Sequence, residues 1–252
     1  MTTLFVSDVH LCPEAPERTA RFLSFLRSRV IEERANVVVV GDLFDWWYGR
    51  PGEVPGDVRQ ILEMLEQANS ALWMEGNHDV LIGRALAGPS AVASSEAPLD
   101  MVVGGRSLHV AHGDLVDDAD GGYLLFRKLL RGLPGRVGAA VVGSRITRAV
   151  GSLAARRSRQ VQGGEHGYDG LSERWLAAAR SYAVTQAAAG AELTVLGHGH
   201  WLGWWPDGLI CLGDWFVHDS YLRIDDAGVA LLAYRQDGDL LLRSGPDGPV
   251  TR

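Results

Sequence analysis

Five short stretches of this chain concentrate carboxylate, imidazole and carboxamide side chains. They are "SDVH" (Asp8, His10), "GDLFDWW" (Asp42, Asp45), "GNHD" (Asn77, His78, Asp79), "HGD" (His112, Asp114) and "GHGH" (His198, His200). Oxygen and nitrogen donors without a nearby thiolate pair suit Mn2+, Fe or Zn2+ rather than a structural cysteine-zinc site. The donors are too many for one ion. Two ions about 3.5–4 Å apart with a shared carboxylate account for them better, and such a centre can bind a phosphate oxygen, acidify a water and stabilise in-line displacement at phosphorus. Taken singly the stretches say less. An Asp followed two residues later by His is usually a turn or a helix cap, and "GNHD" also reads as a loop of Asx turns. Two imidazoles beside an apolar strand are costly unless engaged, which makes "GHGH" the most telling of the five.

Each stretch follows a short apolar run. Residues 4–6, 37–40, 71–74, 108–111, 193–196 and 209–212 read as buried strands bounded by Gly, Asp or Asn. Between the first two, Phe22, Leu23, Leu26 and Val30 fall on one helical face; between the next two, Val58, Ile61, Leu62 and Leu65 do the same. Strand–helix alternation predicts an α/β sheet with parallel neighbours. Ligands collect at the carboxyl ends of such strands, so five strands deliver the polar groups to one edge. From about 123 to 189 the strand signal gives way to an Ala-, Arg- and Leu-rich stretch, read as a helical cap inserted over one end of the sheet. After residue 203 a meander is expected, with turns at "DDAG" (225–228) and "QDGD" (236–239), and the tail "SGPDGPVTR" reads as frayed.

The 252 residues suit one domain, with 46% hydrophobic and 22% charged residues, an ordinary globular balance. No apolar run is long enough to span a bilayer, and "MTTLFVSDVH" lacks the basic and apolar regions of an export signal. Cys12 and Cys211 read as lone reduced thiols, which with the missing signal predicts a cytoplasmic protein. A net charge of −7 argues against a general nucleic-acid binder. Residues 123–160 differ, with nine Lys/Arg and no Asp or Glu. This stretch reads either as a solvated helical face or as a surface for an anionic lipid-like partner, peripheral on the inner face of the cytoplasmic membrane. Asp45 and Asp114 either orient neighbouring ligands or cap turns. His109 reads as a core residue and His218 as a surface or supporting one. His166 reads as exposed, with substrate contact as the alternative. Most of Trp46, Trp47, Trp201, Trp204, Trp205 and Trp215 are expected to pack, with one or two lining the cleft.

The ordered set of five stretches resembles the calcineurin-like metallophosphoesterase superfamily from residue 4 to about 215. The resemblance implies a four-layer α/β/β/α sandwich: a single domain over 1–252 with the helical cap at about 123–189. It implies one divalent ion held by Asp8, His10, Asp42 and His200, and another by Asp42, Asn77, His112 and His198, Asp42 bridging the two. His78 would face the phosphate as acid or charge stabiliser, and Asp79 would orient its ring. Within the superfamily the chain is similar to the UDP-2,3-diacylglucosamine hydrolase family of lipid A synthesis, on "TLFVSDVHLCPEAPERTARFLSFL", "GDLFDWWYG", "HGDLVDDADGGYLLFRKLL" and "CLGDW". At position 78 the chain carries the wider superfamily's histidine, where many members of that family have arginine. The similarity implies Asp120, Tyr123 and Arg127 as substrate contacts and Mn2+ as the usual metal. It further implies cleavage of the pyrophosphate of a UDP-linked diacyl sugar to UMP and a lipid monophosphate. The alternatives are a phosphoesterase for another phosphodiester, nucleotide or phosphoprotein, and a non-enzymatic scaffold of the same fold, which has no need of a full ligand set.

Overall fold

Valines 37–40 of strand β2 (Asn36–Val40) alternate between two cores. Val37 and Val39 join Leu4 and Val6 of β1 (Thr3–Val6) beneath helices, while Val38 and Val40 join Phe5 against a second sheet. This period of two is what a strand buried on both faces requires. The computed structural model describes residues 1–50, 54, 56–86, 91–117, 121–133, 135–137 and 169–250.

The helices over the first sheet are α1 (Pro16–Phe25) and α2 (Gly56–Leu65). Pro16 suits the first helical position because its missing N–H has no partner there and its φ is already helical. Phe22 and Phe25 bury on the sheet, and the helix runs on into a π-helical turn, Leu26–Ile31, that buries Leu26 and Val30. Val58, Ile61, Leu62 and Leu65 of α2 enter the same core. Both expected apolar faces are therefore the buried ones.

Among the described residues the first sheet has seven strands and the second six. In the first, β1, β2, β4 (Ser70–Met74) and β6 (Val92–Ser95) run parallel. The antiparallel meander β12 (Ser220–Asp225), β13 (Gly228–Ala233) and β14 (Leu240–Arg243) completes it. The second sheet joins β7 (Leu99–Val103), β8 (Arg106–Ala111), β9 (Leu193–Leu196), β11 (Leu209–Leu212), β10 (Leu202–Trp204) and β15 (Gly248–Pro249). A two-stranded pair, β3 (Trp47–Tyr48) and β5 (Asp79–Val80), stands apart from both, with the short helix α3 (Ile82–Leu86) after it.

One expectation is corrected. Residues 248–249 are not frayed; they pair with β10 and close the second sheet's edge. The stretch 123–189, expected as a cap, is described at its two ends. Helix α4 (Gly121–Arg131) enters it, residues 138–168 lie outside those described, and helix α5 (Asp169–Ala188) packs on the second sheet. Trp175, Ala179 and Ala183 recur every four residues on α5 and meet Ala111, Leu196, Leu209 and Cys211. This seam makes α5 the fourth layer of the sandwich. Among the described residues no helix is long and apolar enough to cross a membrane.

Candidate metal centre

The loops after β1, β2 and β4 of the first sheet and after β8 and β9 of the second open at one edge of the sandwich. They carry all seven expected ligands. Five of these adopt left-handed backbone: Asp8 (φ 53°), His10 (49°), Asp42 (54°), His198 (63°) and His200 (55°). Asp and His are among the few residues with a side chain that enter this region readily. The turned loops then bond to one another. The Asp8 N–H donates to the Gly41 carbonyl (3.2 Å), His10 N–H to the Asp42 carbonyl (3.0 Å) and Gly197 N–H to the His112 carbonyl (2.9 Å). Two glycines are set by close approach. A Cβ on Gly76 would lie 2.0 Å from Asp42 Oδ1, and one on Gly197 would lie 1.9 Å from Ser7 Oγ.

The side chains fall into two facing groups. His200 Nε2 is 3.5 Å and His10 Nε2 3.8 Å from Asp8 Oδ1, and His10 Nε2 is 3.7 Å from Asp42 Oδ2. On the other side His112 Nε2 is 3.5 Å from Asp42 Oδ1. Asn77 Oδ1 lies 3.0 Å from His112 Nε2 and 2.8 Å from His198 Nδ1. Asp42 thus turns one oxygen toward each group. Asp8, His10, Asp42 and His112 are buried. Asp8 Oδ2 accepts from Ser7 Oγ and His198 N–H at 2.6 and 2.8 Å. Its Oδ1 is buried and, among the described residues, accepts no hydrogen bond. A buried anionic oxygen ringed by imidazole nitrogens at 3.5–3.8 Å, too far for hydrogen bonds, fits donors that share a cation. The residues present therefore fit a pair of divalent ions.

Electrostatics agree. Burial alone pushes both Asp8 and Asp42 upward; Asp8 stays raised, whereas His112, His78 and His10 together hold Asp42 well below the usual carboxylate range. Burial works against charge on His112, but Asp42, with Asp8 and Asp114, lifts it to about 10. Burial, then the neighbouring His112, drops His198 to about 4, and burial lowers His200 as well. The metal-free protein therefore carries a proton on His112 at neutral pH, which an arriving cation must displace. Divalent-metal affinity should consequently rise with pH, by about tenfold per pH unit for each proton displaced. Competition titrations with a chelator at pH 6, 7 and 8 measure this, and a flat profile would refute it.

Other expectations shift. Asp79 does not orient His78. Its buried carboxylate accepts from the backbone N–H of Asp42 (3.1 Å), Leu43 (2.8 Å) and Gly76 (2.7 Å) and from Trp73 Nε1 (3.0 Å). The His78 ring is held instead by the Asp45 carbonyl, 2.6 Å from Nδ1. Asp45 also places its carboxylate 3.7 Å from His10 Nδ1. Tyr123 and Arg127, expected on substrate, both bond Asp114, at 2.5 and 2.9 Å. Asp120 and His166 lie outside the described residues. His109 bridges Asp100 (2.7 Å) and the Tyr182 hydroxyl (2.8 Å), away from the centre.

Sequence reasoning missed Asp214 and Phe216. The Asp214 carboxylate lies 3.2 Å from His218 Nδ1 and 3.8 Å from His200 Nδ1, and accepts the Phe216 and Val217 N–H groups. The Phe216 ring stacks 5.7 Å from that of His200. Of the tryptophans, Trp47 and Trp215 pack in the core, and Trp46 meets His78 edge-on at 6.4 Å.

Two sheets that pool strand-end carboxylates and imidazoles at one edge have the arrangement of a metal-dependent phosphoesterase. Residues 1–201 match the family model for calcineurin-like phosphoesterases, and the chain belongs to that family of hydrolases. Two similar curated proteins, from Xanthomonas campestris pv. campestris and Stenotrophomonas maltophilia, are each named UDP-2,3-diacylglucosamine hydrolase. Each is 30% identical over 92% of this chain and 98% of its own length. A looser likeness, at TM-score 0.44 and 13% identity over 96% of this chain and 97% of the other, is to wild-type Vps29 from Entamoeba histolytica complexed with Zn2+.

Proposed function

We propose that this hydrolase cleaves the pyrophosphate bond of UDP-2,3-diacylglucosamine, releasing UMP and a lipid monophosphate for lipid A synthesis. Asp8, His10, Asp42 and His200 hold one divalent ion, and Asp42, Asn77, His112 and His198 hold the other, Mn2+ by preference. The observation that carries the reading is the division of the two Asp42 oxygens between the facing donor groups. When bound, such a pair supplies positive charge to phosphoryl oxygens and acidifies water.

His78 is the proton-handling group. The Asp45 carbonyl can only accept, so the His78 Nδ1 carries the hydrogen of their 2.6 Å contact, and Nε2 is the atom that gives or takes a proton. Its half-buried ring sits 4.8 Å from that of His10, beside the candidate ligands. The names of the relatives support a UDP-linked acyl sugar. So does an apolar stripe along α4 and the turn after it, where Leu125, Leu129, Leu133 and Val137 recur every four residues and are 59%, 49%, 73% and 53% exposed. Lys128 and Arg136 lie beside the stripe in sequence. Acyl chains suit the first feature and an anionic membrane surface the second. The protein therefore works in the cytoplasm, resting on the inner face of the cytoplasmic membrane.

In a Mn2+-supplemented assay the wild type should release UMP from UDP-2,3-diacylglucosamine. His78→Ala should do so about 100-fold more slowly, with metal content retained. Turnover of a soluble bis-phenyl phosphodiester without any UMP release would discard the lipid substrate while keeping the reaction class.

A further inference from the structure

Helix α4 places Tyr123, Arg127 and Arg131 at four-residue spacing, hence along one face. Their polar ends reach two loops of the candidate centre. Tyr123 and Arg127 bond Asp114, two residues after His112. The Arg131 guanidinium pairs with Glu75 and donates to the Gly76 carbonyl at 2.9 Å, so it grips the two residues directly before Asn77 and His78. The Tyr48 hydroxyl holds the same turn of α4 by donating to the Leu130 carbonyl at 3.1 Å. Leu130 in turn packs on Tyr48, Val80 and Leu81.

The loops of the other half are tied differently. Asp8 and His10 are bonded to the chain after β2. The Asp8 carbonyl accepts the Trp215 N–H at 3.2 Å, and the His10 carbonyl accepts from Arg18 of α1 at 2.7 Å. Each half of the centre thus has its own arginine on a backbone carbonyl, one from a helix of the sandwich and one from the helix that enters the insertion.

We propose that Arg131 is a positioning residue that couples the docking of α4 to the Asn77/His112/His198 half of the centre; this rests on the two-ion reading above. The Glu75 side chain is 0% exposed and that of Arg131 12%, so the pair is desolvated and neither partner can be lost without moving the other. Glu75 N–H is fixed to the Ser95 carbonyl at 2.8 Å, which anchors the loop on the sheet side. Arg131 sets its opposite side. With α4 in place, Asn77 Oδ1 is held between the two imidazoles. With the guanidinium gone, the Glu75 carboxylate turns toward water and carries the Asn77 backbone with it. The second ion is therefore bound tightly only when α4 is docked, while the first is held by the sandwich alone.

The test is Mn2+ binding by calorimetry, with electron paramagnetic resonance to separate coupled pairs from single ions. Wild type should take up two ions. Arg131→Ala should weaken one binding step by about 10–100-fold, the range for groups that orient ligands, leaving the other within about threefold. At limiting metal the coupled-pair signal should give way to a single-ion signal, and excess Mn2+ should restore it. Arg131→Lys, which keeps a charge for Glu75, should recover part of the loss. Tyr123→Phe removes one hydroxyl with little risk to folding; it should weaken the same step, by about threefold, and it decides the matter if Arg131→Ala does not fold. Two unchanged steps in the folded variants, or two steps weakened alike, would overturn the coupling. Fewer than two ions in wild type would overturn the two-ion reading itself.

Discussion

Asp42→Ala should lower turnover by about 10⁴-fold or more while leaving a folded protein. Among the described residues Asp42 is the carboxylate that faces both donor groups, with Oδ2 3.7 Å from His10 Nε2 and Oδ1 3.5 Å from His112 Nε2. Its removal takes an anionic ligand from each candidate ion site at once, and each tenfold in rate is about 1.4 kcal/mol of barrier. The fold should tolerate the change. The substitution loses the hydrogen bond from the His78 N–H at 2.9 Å and the attraction that favours a proton on buried His112. Against that, burial followed by repulsion from Asp42 raises Asp79, and Asp42 also contributes to raising Asp8, so both carboxyls gain relief. The variant should therefore still melt as a folded protein. Initial rates and metal content, read beside a thermal melt, measure both halves of the claim. Turnover within tenfold of wild type would end the two-ion account.

Asp79→Ala should do the opposite and strike the fold. The Asp79 carboxylate is 0% exposed and gathers three backbone N–H groups and the Trp73 indole N–H, tying the exit of β2 to the exit of β4. Alanine would strand four buried donors. Each unsatisfied donor costs about 1–3 kcal/mol before relaxation, so a total on the order of 4–6 kcal/mol is expected. For a chain of this size that corresponds to a fall in Tm of roughly 10–20 °C. Asp79→Asn, which keeps one acceptor oxygen, should lose about half as much. Melting of the metal-free proteins gives the answer without interference from ligands. A shift of less than about 3 °C would mean that water replaces the carboxylate at little cost, and that Asp79 is not the clasp between these loops.

The candidate ligands were legible in the sequence because a strand that ends in a left-handed turn needs Asp, His, Asn or Gly at the turn, and chemistry needs the same residues. Sequence pattern and backbone geometry therefore point to the same places. The role of Asp79 was not legible. An aspartate that accepts backbone N–H groups and one that faces a catalytic ring look identical in "GNHD", and only the fold brings Asp42, Leu43 and Trp73 to it. Asp214 escaped for the same reason, since "CLGDW" gives no sign that its acid lies behind His200. The packing of helix α5 on the second sheet is hard to see in sequence because its buried seam is Trp175 with two alanines, a weak apolar signal in an Ala-rich stretch. Strands β6 and β7 leave little trace in the sequence because their exposed positions break the apolar run, although Gly104 and Gly105, both at positive φ, are a hairpin turn signal.

The left-handed turns at Asp8, His10, Asp42, His198 and His200 also limit how this centre can change over generations. Outside Gly, Asn, Asp and His, residues pay about 1–2 kcal/mol to sit in that conformation. A drift toward cysteine or glutamate at any of the five would meet resistance from the main chain before coordination preference had any say. Thiolate-dependent metal centres are thus opposed by the shape of the turns as well as by the donors themselves, and an engineer wanting an iron–sulfur cluster here would have to rebuild the turns first.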